Sequence, residues 1–151
     1  MKKYNCIMLA IIAVLLVACS GNKNAEHMDA HATEAAGAHS MDGSVLLDNG
    51  KRWQANAETT QGIENMLALT TGFSETENIE AYHVLKGNLE NAFQNILQQC
   101  TMTGAAHDQL HNYLMPMKAM FTGLQSDNLD SCKHYLKVTD TYLKGYDDFF
   151  E

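Results

Sequence analysis

From Trp53 to the end of the chain, apolar side chains recur at intervals of three and four, the spacing of amphipathic helices and not of strands. The first stretch, roughly 55–72, places Ile63, Met66, Leu67 and Phe73 on one stripe, with Gly72 positioned to stop it. Ser74-Glu75-Thr76-Glu77 then has the form of a capping box. The helix it predicts buries Ile79, Tyr82, Leu85, Leu89, Phe93, Ile96 and Leu97, with Cys100 on the same stripe. Thr101-Met102-Thr103-Gly104 breaks the pattern. A third helix follows from Ala105 to about Gln125, turning Ala106, Leu110, Tyr113, Leu114, Met117, Phe121 and Leu124 inward. Pro116 should kink it, because proline cannot donate to the Asn112 carbonyl. Asp127 is placed to cap a fourth helix. Its seam of Leu129, Cys132, Leu136, Thr139, Leu143, Tyr146 and Phe150 steps by three and four. Four such helices with short turns predict an all-α, up-down-up-down four-helix bundle over 46–151. With 46% hydrophobic residues in 151, the chain can fill one core, and it is short for two domains.

The N-terminal segment has a different pattern. Lys2 and Lys3 precede ten apolar residues, Met8 to Val17, too few to span a bilayer permanently. The run ends Leu16-Val17-Ala18-Cys19-Ser20-Gly21, which resembles the lipobox of bacterial lipoprotein precursors. That resemblance implies a signal peptide over 1–18, cleavage before Cys19, and a diacylglycerol on the Cys19 thiol. Ser20, where an Asp would favour retention, implies passage to the outer membrane. Two or three acyl chains of the palmitate class make such anchoring stable, at ~0.8 kcal/mol per buried CH₂. The expected location is therefore the outer membrane, lipid-anchored and facing the periplasm.

Residues 19–45 are expected to form a flexible tether. The stretch is Ala, His, Gly, Ser and acid-rich with almost no large apolar residue, so it cannot offset the cost of ordering its backbone. It carries His27, Met28, His31, His39 and Met41, a bias associated with metal capture; the simpler reading is a solvated spacer. The formal charge of −8 and the lack of a basic stripe exclude a nucleic-acid partner.

Catalytic constellations are missing. The chain has no Gly-rich phosphate loop for a nucleotide, no nucleophile elbow and no His-Glu-x-x-His, so an enzyme is not expected. Cys-x-x-Cys-His is absent, and the comparison with b-type cytochrome bundles fails at both ligand positions, which leaves no haem. What remains is Cys100, Met102, His107 and His111. The two histidines lie one helical turn apart, and the Gly104 turn would fold Cys100 and Met102 back toward them. Soft sulfur with imidazole suits Cu(I) first and Zn or another soft ion next. The segment resembles the C-T-M-x-G-x-A-H-x-x-L-H stretch of small envelope lipoproteins, a likeness that groups the chain and implies no activity. Against a metal role, a histidine flanking a core face is commonly a hydrogen-bonded boundary residue, and Met117 and Met120 suit core filling.

Two thiols in an oxidising compartment suggest a disulfide, but a bundle separates Cys100 and Cys132. The third helix between them is about 30 Å long, against the ~7 Å that a bridge tolerates between Cα atoms. Cys100, Met102 and His107 should therefore share the tether end with Asp147 and Asp148. His83, Met120, Cys132 and His134 should lie toward the other end. The sequence thus predicts a lipid-anchored bundle binding a soft metal ion, copper foremost, for buffering or relay. The rival is a structural or adaptor lipoprotein docking an envelope protein partner. A redox role for Cys100 is a weaker rival, since basic neighbours that would lower its thiol pKa are lacking.

Overall fold

The computed structural model describes residues 44–151. Cys19, the expected signal segment and the expected tether positions His27, Met28, His31, His39 and Met41 lie outside the described residues. The helices are α1 (Ala57–Thr71), α2 (Ile79–Gln99), α3 (Gly104–Leu114), α4 (Met117–Gly123) and α5 (Leu129–Lys144), then a 3-10 turn (Tyr146–Asp148). α1 packs on α2 and α5, and α4 packs on α5 and α2. The result is the all-α four-helix bundle, with α3 and α4 as two halves of its third rod.

Pro116 accounts for the division of that rod. Met115 and Pro116 both keep helical dihedrals, φ −57°, ψ −42° and φ −60°, ψ −27°, so the backbone path stays helical. What fails is the ladder, which restarts with Lys118 N donating to the Met115 carbonyl at 3.3 Å.

Two predicted caps are corrected. α2 starts at Ile79, capped by Asn78, whose Oδ1 accepts from Glu80 N at 3.1 Å and Ala81 N at 3.4 Å. The Ser74–Glu77 motif stays in the loop, and Glu77 pairs with Lys133 of α5. Asn128, not Asp127, caps α5 by accepting from Ser131 N at 2.9 Å. In both cases a short Asn carbonyl directly before the helix satisfies a free first-turn donor.

Met66, Tyr82, Leu89, Leu114, Met117, Leu124, Cys132 and Phe150 are fully enclosed between the helices. Two glycines let helices approach closely. A Cβ at Gly62 would lie 2.3 Å from Ile96 Cγ1, and one at Gly123 would lie 2.2 Å from the Tyr135 ring.

One end of the bundle is closed by residues that the periodicity did not place. Trp53 pairs with the C-terminal residues: its N–H donates to the Phe149 carbonyl at 2.8 Å, and its carbonyl accepts from Glu151 N at 2.9 Å. Arg52 forms an ion pair with Glu151 at 2.7 Å. Ahead of them the chain reverses in a two-residue turn, Asn49 at φ 50° and Gly50 at φ 84°, between Asp48 and Lys51. Positive φ at both central positions is what a tight hairpin requires, and Asn-Gly supplies it. Val45, the last residue of the expected tether, packs against the core.

Candidate metal centre

Cys100 ends α2 in an extended conformation, and Gly104, at φ 62°, begins α3. That left-handed glycine reverses the chain within a few residues. The reversal brings Cys100 Sγ to 3.6 Å from His107 Nδ1, both side chains being half-buried. His111 follows one turn later, its ring edge-on to His107 with centroids 4.4 Å apart at 62°. Met102 is half-buried and packs against the core. Among the described residues, no three His, Cys, Asp or Glu side chains converge tightly enough to enclose an ion. Of the four expected ligands, the fold thus presents one facing pair, Cys100 and His107. His111 meets the His107 ring edge-on, and Met102 lies at the core margin.

Thr60 is a residue the sequence reading missed, and Tyr146 and Tyr113 were expected only as core positions. Tyr146 is buried, and its hydroxyl lies 3.2 Å from Thr60 Oγ1. Burial is the main cause holding its phenol above the ordinary range, and the Thr60 hydrogen bond opposes it; the charges of Asp147, Cys100 and Glu64 add smaller upward contributions. Thr60 and Tyr146 are 86 residues apart, and no local pattern signals such a pairing. Behind His111, Tyr113 donates to the Tyr142 carbonyl at 3.0 Å, and Tyr142 donates to the Tyr113 carbonyl at 2.8 Å. This clasp fixes α3, and with it His107, to α5. Asn112 donates to the Ser44 carbonyl at 3.3 Å, so the chain toward the expected tether departs beside His111.

The other end holds a second cysteine and histidine in a different arrangement. Cys132 Sγ donates to the Ser126 carbonyl at 3.1 Å, and His83 Nε2 lies 3.4 Å from the same oxygen. Cys132 is fully enclosed, and burial pushes its thiol pKa up. His134 is exposed, as its position off the α5 seam implies. Cys100 and Cys132 are both free thiols, each engaged by partners of its own end. The chain matches no family model, no curated protein and no solved structure.

Proposed function

We propose that this protein is a lipid-anchored envelope protein whose bundle binds a soft metal ion, Cu(I) foremost, at Cys100 and His107, and buffers or relays it. The observation that carries the reading is the 3.6 Å separation of Sγ and Nδ1. At the bond lengths and tetrahedral angle of a zinc site, about 2.3 and 2.1 Å, a thiolate sulfur and an imidazole nitrogen lie about 3.6 Å apart, and a four-coordinate Cu(I) ion would need a similar separation. The pair can therefore take up an ion by losing the thiol proton, with little backbone movement. Thiolate with imidazole favours Cu(I), which accepts low coordination numbers, over hard cations that demand several oxygens. A site with two protein ligands leaves coordination positions for an exchanging donor, as buffering or relay requires.

The test is competition against a Cu(I) chelator under reducing conditions. Cys100→Ala and His107→Ala should each weaken binding by more than ~100-fold, beyond the 10–100-fold typical of losing a supporting residue. His134→Ala should leave it unchanged. Because the tether is itself a candidate for metal capture, the three variants and their parent are compared in a background with His27, Met28, His31, His39 and Met41 replaced by Ala. Wild-type affinity in the Cys100 and His107 variants would overturn the proposal.

A second reading, an adaptor docking an envelope protein, has one observation in its favour. A groove of about 450 Å³ between the end of α1 and α2 has an apolar floor that includes Leu69, Phe73, Leu85 and the 64% exposed Val84, with polar residues such as Glu75 and Glu80 also lining it. Absence of Cu(I) binding would leave that reading ahead.

A further inference from the structure

The hairpin at the tether end exposes two leucines while its backbone is fixed. Leu46 is 46% and Leu47 41% exposed, two of the four large apolar residues exposed among the described residues. Single exposed leucines need no explanation, but these are adjacent and held in place. The Leu46 N–H donates to Gln109 Oε1 at 2.7 Å, and its carbonyl accepts from Trp53 Nε1 at 2.6 Å. The Asn49-Gly50 turn then fixes the reversal. The side chains are thus presented to solvent from a pinned support.

Their place in the chain identifies what they would meet. Ser44, two residues before Leu46, is where the chain leaves toward Cys19, the expected lipid anchor. The residues between Cys19 and Ser44 can span at most roughly 85 Å even when fully extended. A hairpin held that close to a bilayer meets it at high effective concentration, so an intrinsically weak contact is sufficient. Charge is not the attraction. Arg52 is engaged by Glu151 at 2.7 Å, and against the one exposed lysine of the hairpin, Lys51, stand the exposed acids Asp48, Asp147 and Asp148.

We infer that this hairpin is a membrane-contact element, in which Leu46 and Leu47 enter the interfacial layer of the bilayer that carries the anchor and hold the tether end against it. The inference rests on the lipoprotein reading of Cys19. Trp53, the single tryptophan of the chain, reports on it directly, because its ring nitrogen is bonded to the Leu46 carbonyl.

The experiment uses the mature protein purified from the envelope and reconstituted into phosphatidylethanolamine–phosphatidylglycerol vesicles with acyl chains brominated near the headgroup. Acylation of Cys19 is read by mass on the same sample. Trp53 emission should be quenched relative to unbrominated vesicles, and Leu46→Ser with Leu47→Ser should abolish the quenching. Both positions are exposed, and circular dichroism of the variant verifies its fold. Quenching should persist in phosphatidylcholine alone; a requirement for phosphatidylglycerol would mean attraction by charge and overturn the apolar contact. Acylated protein with unquenched Trp53 overturns the hairpin proposal while the anchor stands. An unmodified Cys19 overturns the anchor and the proposal together.

Discussion

Each end of the bundle brings a cysteine and a histidine together, but only at the end where α2 turns into α3 do the two side chains face each other. Cys100 Sγ lies 3.6 Å from His107 Nδ1, and both residues are half-buried. At the far end Cys132 and His83 both turn to the Ser126 carbonyl, and Cys132 is sealed in the core. The residue types are identical, so composition cannot distinguish the two. The difference lies in what competes for the donors. The Ser126 carbonyl, in the loop between α4 and α5, draws the far thiol and imidazole to itself, whereas the Gly104 reversal at the near end presents the thiol to the ring.

The sharpest way to break this comparison is thiol reactivity. Iodoacetamide attacks the thiolate, and Cys132 must first be uncovered by unfolding, because in the fold it is enclosed and burial disfavours its thiolate. If the far end opens only with the whole domain, Cys100 should be alkylated at least ~1,000-fold faster, the equivalent of about 4 kcal/mol out of a typical 5–15 kcal/mol of stability. Peptide mapping of a time course checks this. Equal rates would show that the far end frays, and the contrast between the ends would collapse.

Much of this arrangement was legible in the chain. The buried stripes of α2 and α5 were predicted because a seam stepping by three and four has one way to face a core, and Tyr82, Leu89, Phe93, Cys132, Leu143 and Phe150 are enclosed as that requires. The Pro116 interruption was equally readable, since it depends on one missing N–H. The caps were not, because Ser74 and Asp127 are chemically as good as Asn78 and Asn128, and which one acts depends on where the helix meets its neighbours. The hairpin and its pairing with the C-terminus were invisible: Trp53 and Phe149 are joined by backbone bonds across the length of the domain. Of the site, the nearness of Cys100 and His107 followed from the Gly104 turn. The sideways stacking of His111 did not, since helical spacing sets its face and not its ring angle.

Gly104 offers a more targeted test of why the near pair faces as it does. A Cβ there meets open space, so any effect of Gly104→Ala must come from its φ of 62°. The left-handed penalty predicts a loss of about 1–2 kcal/mol in denaturant unfolding. If the turn sets the pair, Cu(I) affinity should fall as well. Gly87 is the control: it lies inside α2, also with open space for a Cβ, and Gly87→Ala should stabilise by up to about 1 kcal/mol. A Gly104→Ala protein with wild-type copper affinity would show that the pair forms without the turn.

The smallest expected effect concerns how firmly the near end is held. Tyr113, Tyr142 and Tyr146 cluster there, with the Tyr113 ring stacked on Tyr142 at 4.9 Å. Burial raises all three phenol pKa values, Tyr113 the furthest. In the unfolded chain these phenols ionise near pH 10, whereas in the fold they keep their protons to higher pH. Their contribution to stability is therefore complete below about pH 10 and is lost above it, as the unfolded state sheds protons first. Tyr113→Phe removes the hydrogen bond to the Tyr142 carbonyl and should cost about 1 kcal/mol at pH 7. It should also make the alkaline decline shallower, because one phenol fewer drives it. Tyr82, at the far end, is also shifted upward by burial, with its hydroxyl bonded to the Thr76 carbonyl at 3.2 Å. It stands apart from that cluster, so Tyr82→Phe should flatten the alkaline decline less than Tyr113→Phe does. Urea unfolding of the three proteins at pH 7 and above pH 10 measures both effects. Equal flattening by the two substitutions would mean that burial at the near end shifts Tyr113 no further than burial at the far end shifts Tyr82.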